Sequence, residues 1–112
     1  GEDGQEIEHE VFDFPAAGPW GTEMAEAYGE LARQIAEAPG LLWKVWTENP
    51  ATGESGGIYL FADPDSAAAY QALHTERLRS FGITAINVKV FSVNEPLSQV
   101  TRAPLAVAAP WR

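Results

Sequence analysis

The 112-residue chain has no cysteine. That absence removes disulfides, thiolate metal ligands and cysteine nucleophiles together. Basic side chains are scarce: seven Lys and Arg stand against sixteen Asp and Glu, for a formal net charge of −9. An acidic domain repels phosphate backbones, so no nucleic acid partner is expected. Only two histidines occur, His9 and His74, too far apart in sequence to form a spaced ligand pair. No zinc or non-haem iron site is expected from them. Gly56-Gly57 is too short for a phosphate loop and opens a strand rather than a helix. No apolar run approaches the roughly 20 residues of a membrane-spanning helix. The N-terminus lacks the basic and apolar regions of a signal peptide. These absences point to a cytoplasmic protein with no membrane partner.

The length suits one domain. Hydrophobic residues make up 46% of the chain, enough for a core. A domain this small gains from burying further area, often by oligomerising. Residues 1–5 are expected to be disordered or a cloning scar, 6–99 to form the domain, and 100–112 to form a tail with no clear period.

Residues 6–14 alternate, with Ile7, His9 and Val11 on one side and Glu10, Phe12 and Phe14 on the other, which predicts a strand. PAAGP at 15–19 breaks it. Over 20–38, Trp20, Met24, Ala27, Tyr28, Leu31 and Ile35 share one helical face, opposite a row of Glu and Arg. Thr22 or Gly21 is the expected cap, and Pro39-Gly40 the stop. LLWKVWTEN at 41–49 and SGGIYLFAD at 55–63 form a hairpin around NPATGE. Asp63-Pro64 pairs an N-cap with a first-turn proline, and the helix it starts ends at Gly82. ITAINVKVFSV at 83–93 is the last strand. The order is β-α-β-β-α-β, an α+β ferredoxin-like sandwich with strand order 4-1-3-2.

In such a sandwich the helices cover one face of the sheet. Ile86, Val88, Val90, Ile58, Leu60, Ala62, Trp43 and Val45 are assigned to that face. Leu42, Lys44, Trp46, Tyr59, Phe61, Asn87, Lys89 and Phe91 are assigned to the other. A solvated face would not hold Trp46, Phe61 and Phe91 together, so a homodimer joined through sheet faces is expected. Each large side chain buried there contributes about 1.5–3 kcal/mol in transfer terms. Lys44 and Lys89 would then need acidic partners at the interface, with Glu10 and Glu48 as candidates. Both faces of the sheet are expected to be covered even with the two sets exchanged.

The strings GPWGTEMAE, EAPGLLWKVWTE, SGGIYLF, HTERL and KVFSVNEPLSQ together resemble the YdhR-type monooxygenases over roughly residues 11–103. The resemblance implies a dimeric α+β barrel related to cofactor-independent antibiotic-biosynthesis monooxygenases. It implies oxygen insertion without flavin, haem or metal. That family's activity is itself largely an inference from fold, and a fold does not fix chemistry.

His74 lies at the centre of the second helix's apolar stripe, in one arc with Tyr70, Ala67, Leu78 and Phe81 and with Arg77 at the edge. Burial would lower its pKa and leave a neutral ring. The catalytic reading makes His74 a general base and Tyr70 or Arg77 a donor to an oxygen-derived anion. The alternative is a buried structural histidine bonded to a backbone carbonyl or to Tyr28. Trp43, Tyr28, Tyr59 and Tyr70 could line a flat pocket for a small aromatic ligand, a phenol or quinol. Packing alone accounts for each of these residues singly. Two other functions fit the sequence: a non-catalytic dimer that binds a hydrophobic ligand, and a haem-handling protein with His74 as axial ligand.

Overall fold

A computed structural model describes residues 6–106 of the chain. The expectations for residues 1–5 and for Trp111 at the C-terminus lie outside the described residues. The elements are β1 (Glu8–Pro15), α1 (Gly21–Ala27), α2 (Gly29–Ala36), β2 (Leu41–Asn49), β3 (Glu54–Phe61), α3 (Pro64–Ser80), β4 (Asn87–Ser92) and α4 (Glu95–Val100). The sheet is antiparallel, in the order β2-β3-β1-β4, which is the ferredoxin-like arrangement. Among the described residues no helix is long and apolar enough to cross a membrane.

Local chemistry explains the element ends. The Asp63 carboxylate accepts from the Ser66 backbone N–H at 2.8 Å and caps α3. At the other end the Gly82 N–H reaches the Arg79 carbonyl and the Ile83 N–H reaches that of Leu78, the paired bonds of a Schellman motif. Gly82 supplies the left-handed conformation that motif requires, with φ +87°. Gly40 is fixed by crowding, because a Cβ there would run into the Ser66 side chain.

The single helix expected over 20–38 is two. Tyr28, at φ −110° and ψ 14°, interrupts it, and α2 restarts at Gly29. Glycine at that joint gives the backbone freedom and adds no helix-forming side chain. Neither Thr22 nor Gly21 caps α1: its N-cap is Trp20, with no side-chain bond. The missing cap comes from a distance, as Glu48 Oε1 on β2 accepts the Gly21 N–H at 2.8 Å. A carboxylate there satisfies a free amide at the positive end of the helix. Helix α4, capped by Asn94, occupies the stretch that runs from NEPLS into the aperiodic tail.

Both helix layers pack on one face of the sheet, and the register shows which one. Residues paired across strands share a face. Glu10 pairs with Tyr59 and Val90, Tyr59 pairs with Lys44, and Phe12 pairs with Gly57 and Val88. The helix-covered face therefore carries Glu10, Phe12, Lys44, Trp46, Tyr59, Phe61, Val88 and Val90. This corrects the sequence assignment for the central hairpin: Trp43, Val45, Ile58 and Leu60 lie on the opposite face, open in that α1, α2 and α3 leave it uncovered, with His9, Val11, Lys89 and Phe91; Leu60 is nonetheless buried there. The assignment of Val88 and Val90 stands. Alternation gives the phase within a strand, but nothing in the sequence sets the phase between strands. The core joins Phe12, Tyr59 and Phe61 to Ile35 of α2 and to Ala67, Tyr70 and Leu78 of α3.

Candidate active site

One end of the helix–sheet layer is left open. The β2–β3 turn is tied there to the loop after β1, with the Ala16 N–H donating to the Gly53 carbonyl at 2.8 Å. Beneath lies a cavity of about 270 Å³. Met24, Tyr28 and Leu31 form its roof, Phe81 and Ile83 one side, and Lys44, Trp46, Tyr59 and His74 its inner wall. Tyr28 stacks on Trp46 at the rim, with ring centroids 6.4 Å apart and planes 16° from parallel.

His74 is 3% exposed and boxed by rings. It stacks on Tyr70 at 5.0 Å and meets the edge of Phe12 at 5.2 Å. Arg77 Nη1 lies 3.1 Å from His74 Nδ1. A guanidinium has no acceptor, so Arg77 donates and Nδ1 must carry the lone pair. The proton of the neutral ring then sits on Nε2, on a residue that helps to line the cavity. Burial lowers the His74 pKa to about 3, helped by Lys44 and Arg77. The ring is thus a fixed neutral donor.

Lys44 lies on the helix-covered face, opposite to its sequence assignment. Its Nζ sits 3.4 Å from the centroid of the Trp46 ring and 4.7 Å from that of Tyr59. Desolvation, and then the charge of Arg77, lower its pKa to about 7. The sequence carries one signal of this: Lys44 shares strand parity with Trp46 and Tyr59, both large aromatics. Glu10 and Glu48 are not interface partners for it. Glu10 is fully buried beneath the helices with neither carboxylate oxygen bonded, and Glu48 holds α1.

The other candidates divide. Tyr28 and Tyr59 line the cavity with His74. Tyr70 is behind the wall, where its hydroxyl donates to that of Tyr59 at 3.2 Å. Burial raises the pKa of both phenols, that of Tyr70 to about 12. Arg77 also stands behind the wall, against His74. Trp43 is on the open face, where its indole N–H donates to the Pro104 carbonyl at 2.7 Å, so it does not belong to this cavity. Ser55 lies in the string Gly53-Glu54-Ser55-Gly56-Gly57, the G-x-S-x-G spacing. It sits within β3 with its hydroxyl 3.5 Å from the Thr47 carbonyl, not on the strand-to-helix elbow that exposes a nucleophilic serine. No cluster of three or more His, Asp or Glu that could hold a metal ion occurs among the described residues.

No curated protein matches the chain. A family model described as "Putative mono-oxygenase ydhR" matches residues 11–104, most of its length. That description suggests an oxidoreductase that inserts oxygen. The conclusion from sequence, fold and comparison is that the chain belongs to the ydhR mono-oxygenase family.

Proposed function

We propose that the cavity takes up a small electron-rich aromatic, a phenol or quinol, and that the chain oxygenates it with molecular oxygen and no cofactor. The observation that supports this most is the make-up of the cavity. Aromatic and aliphatic side chains form most of its wall, and His74, Tyr59, Lys44 and Ser55 are among the few polar groups in it. Ligand sites commonly pair an apolar wall with a few convergent polar groups. At about 270 Å³ the space suits one or two fused rings.

In this reading the phenol loses its proton, and the anion gives one electron to oxygen. The substrate radical and superoxide couple at a ring carbon that bears hydrogen. Loss of that hydrogen and cleavage of the O–O bond leave a quinone and one water. One oxygen atom enters the ring, and the other leaves in the water. Tyr28 and Trp46 stack on the ring, and Tyr59 fixes its hydroxyl end. His74 donates Nε2–H to the oxygen-derived anion as charge builds there. Its Nδ1 is taken by Arg77, so the part of base expected for it from sequence falls to another group. Arg77 and Tyr70 position His74 and Tyr59 from behind.

Oxygen uptake with naphthols and naphthoquinols tests this. Stoichiometric uptake by wild type and a loss of about 100-fold in His74→Gln are expected, within the 10²–10³ range for one such donor. No uptake, with a ligand-induced rise in Tm, would instead support a non-catalytic binding protein. Haem handling has less support, because a cavity of this volume is small for a four-pyrrole macrocycle. We also propose a homodimer through the open face, on which Val45 and Phe91 are each 51% exposed.

A further inference from the structure

The reaction above needs a proton acceptor, and His74 is not placed to be one. The chain has sixteen acidic residues, yet no carboxylate is among the residues that line the cavity. The groups facing Lys44 are Trp46 on its own strand, Tyr59 on β3, Tyr28 between α1 and α2, and His74 on α3 with Arg77 behind it. Glu10, on β1, is separated from it by Tyr59 in the cross-strand row. Lys44 makes no ion pair among the described residues, and its ammonium rests on ring faces alone.

The backbone makes room for this arrangement. A Cβ at Gly57 would stand 2.6 Å from Lys44 Cε and 3.1 Å from a Tyr59 ring carbon. Glycine there lets the lysine stem cross β3 toward the cavity. A lysine desolvated among aromatics and near another cation holds its proton weakly.

We propose that Lys44 is the proton acceptor of this cavity, and that the cavity holds its phenolic ligand as the phenolate against the Lys44 ammonium. The phenol O–H bond breaks, and its electron pair stays on oxygen. The proton bonds to the Nζ lone pair, and no other reagent is needed. The lysine pKa of about 7 leaves a large share of amine at neutral pH to receive it. The inference rests on the oxygenase reading for its purpose, but not for its test.

The test is anaerobic binding of a naphthol, at a pH where the free compound is neutral, followed by its naphtholate absorbance. Wild type should show the naphtholate band at saturation. Lys44→Met should bind with the band lost, and circular dichroism would verify its fold. Lys44→Arg, which keeps the charge and cannot accept a proton, should show the band but release about one proton per ligand to the buffer. Wild type above the lysine pKa should release almost none. The same band in Lys44→Met, a neutral naphthol in wild type, or no binding at all would overturn the proposal. Oxygen uptake separates the two readings: the band without uptake leaves the proton transfer and removes the oxygenase. Undiminished uptake by Lys44→Met does the reverse.

Discussion

Among the described residues, Glu10 is the buried side chain left without a hydrogen-bond partner. It is fully buried, and neither carboxylate oxygen has a partner. Burial, and then the charge of Glu8, raise its pKa from 4.5 to about 7. Between those values the folded state holds the proton more tightly than the unfolded state, so this group's contribution to stability falls as pH rises. His74 has the opposite slope, since its folded pKa of about 3 lies below the ordinary 6.5. Its contribution is complete above about 6.5 and is lost as pH falls toward 3. Glu10→Gln removes one slope and keeps the other. Urea unfolding of Glu10→Gln should show a gain of up to about 3 kcal/mol near pH 8 and little change near pH 4, since a tenfold difference in proton affinity is worth roughly 1.4 kcal/mol. A destabilised variant near pH 8 would mean that the carboxylate has a partner in solution. Gly57 gives a second expectation at this scale. Gly57→Ala forces Lys44 or Tyr59 aside. It should cost about 1–3 kcal/mol, as overpacking does, and reduce the naphtholate band.

At the scale of elements, the sequence is most legible where a short-range rule decides. Asp63-Pro64 announces α3 and Gly82 ends it, and the structure shows the bonds that make this so. Asp63→Ala should cost about 1 kcal/mol in global unfolding, as N-cap removal commonly does. A change within error would mean that the Ser66 hydroxyl takes over the cap. The sequence is least legible where distant elements decide. The cap of α1 is Glu48, far along the chain, so no local pattern could announce it. The bulge between Leu41 and Trp43 shifts the register of β2 against β3. The phase of β2 and β3 against β4 comes from pairing, and that is why Lys44 and Trp43 exchange faces. The burial of His74 is readable from its place in the stripe. Its tautomer is not, because that depends on which way the Arg77 guanidinium points.

At the scale of the whole molecule, the second face of the sheet carries the dimer proposal. Val11, Trp43, Val45, Ile58 and Phe91 lie on it, and Val45 and Phe91 are half exposed. Sedimentation equilibrium should give twice the chain mass, and Val45→Glu should return it to one by burying a lone charge in the contact. A wild-type monomer at micromolar concentration would end the dimer proposal. The distribution of charge has a consequence at the same scale. A chain of formal net charge −9 disfavours solutes that arrive already as anions, whereas the inner wall favours a solute that gives up its proton after arrival. Weak acids would be sorted by where they give up hydrogen, in bulk water or inside. Salt screens fields beyond roughly 10 Å at 0.1 M and would blur that sorting from the outside inward.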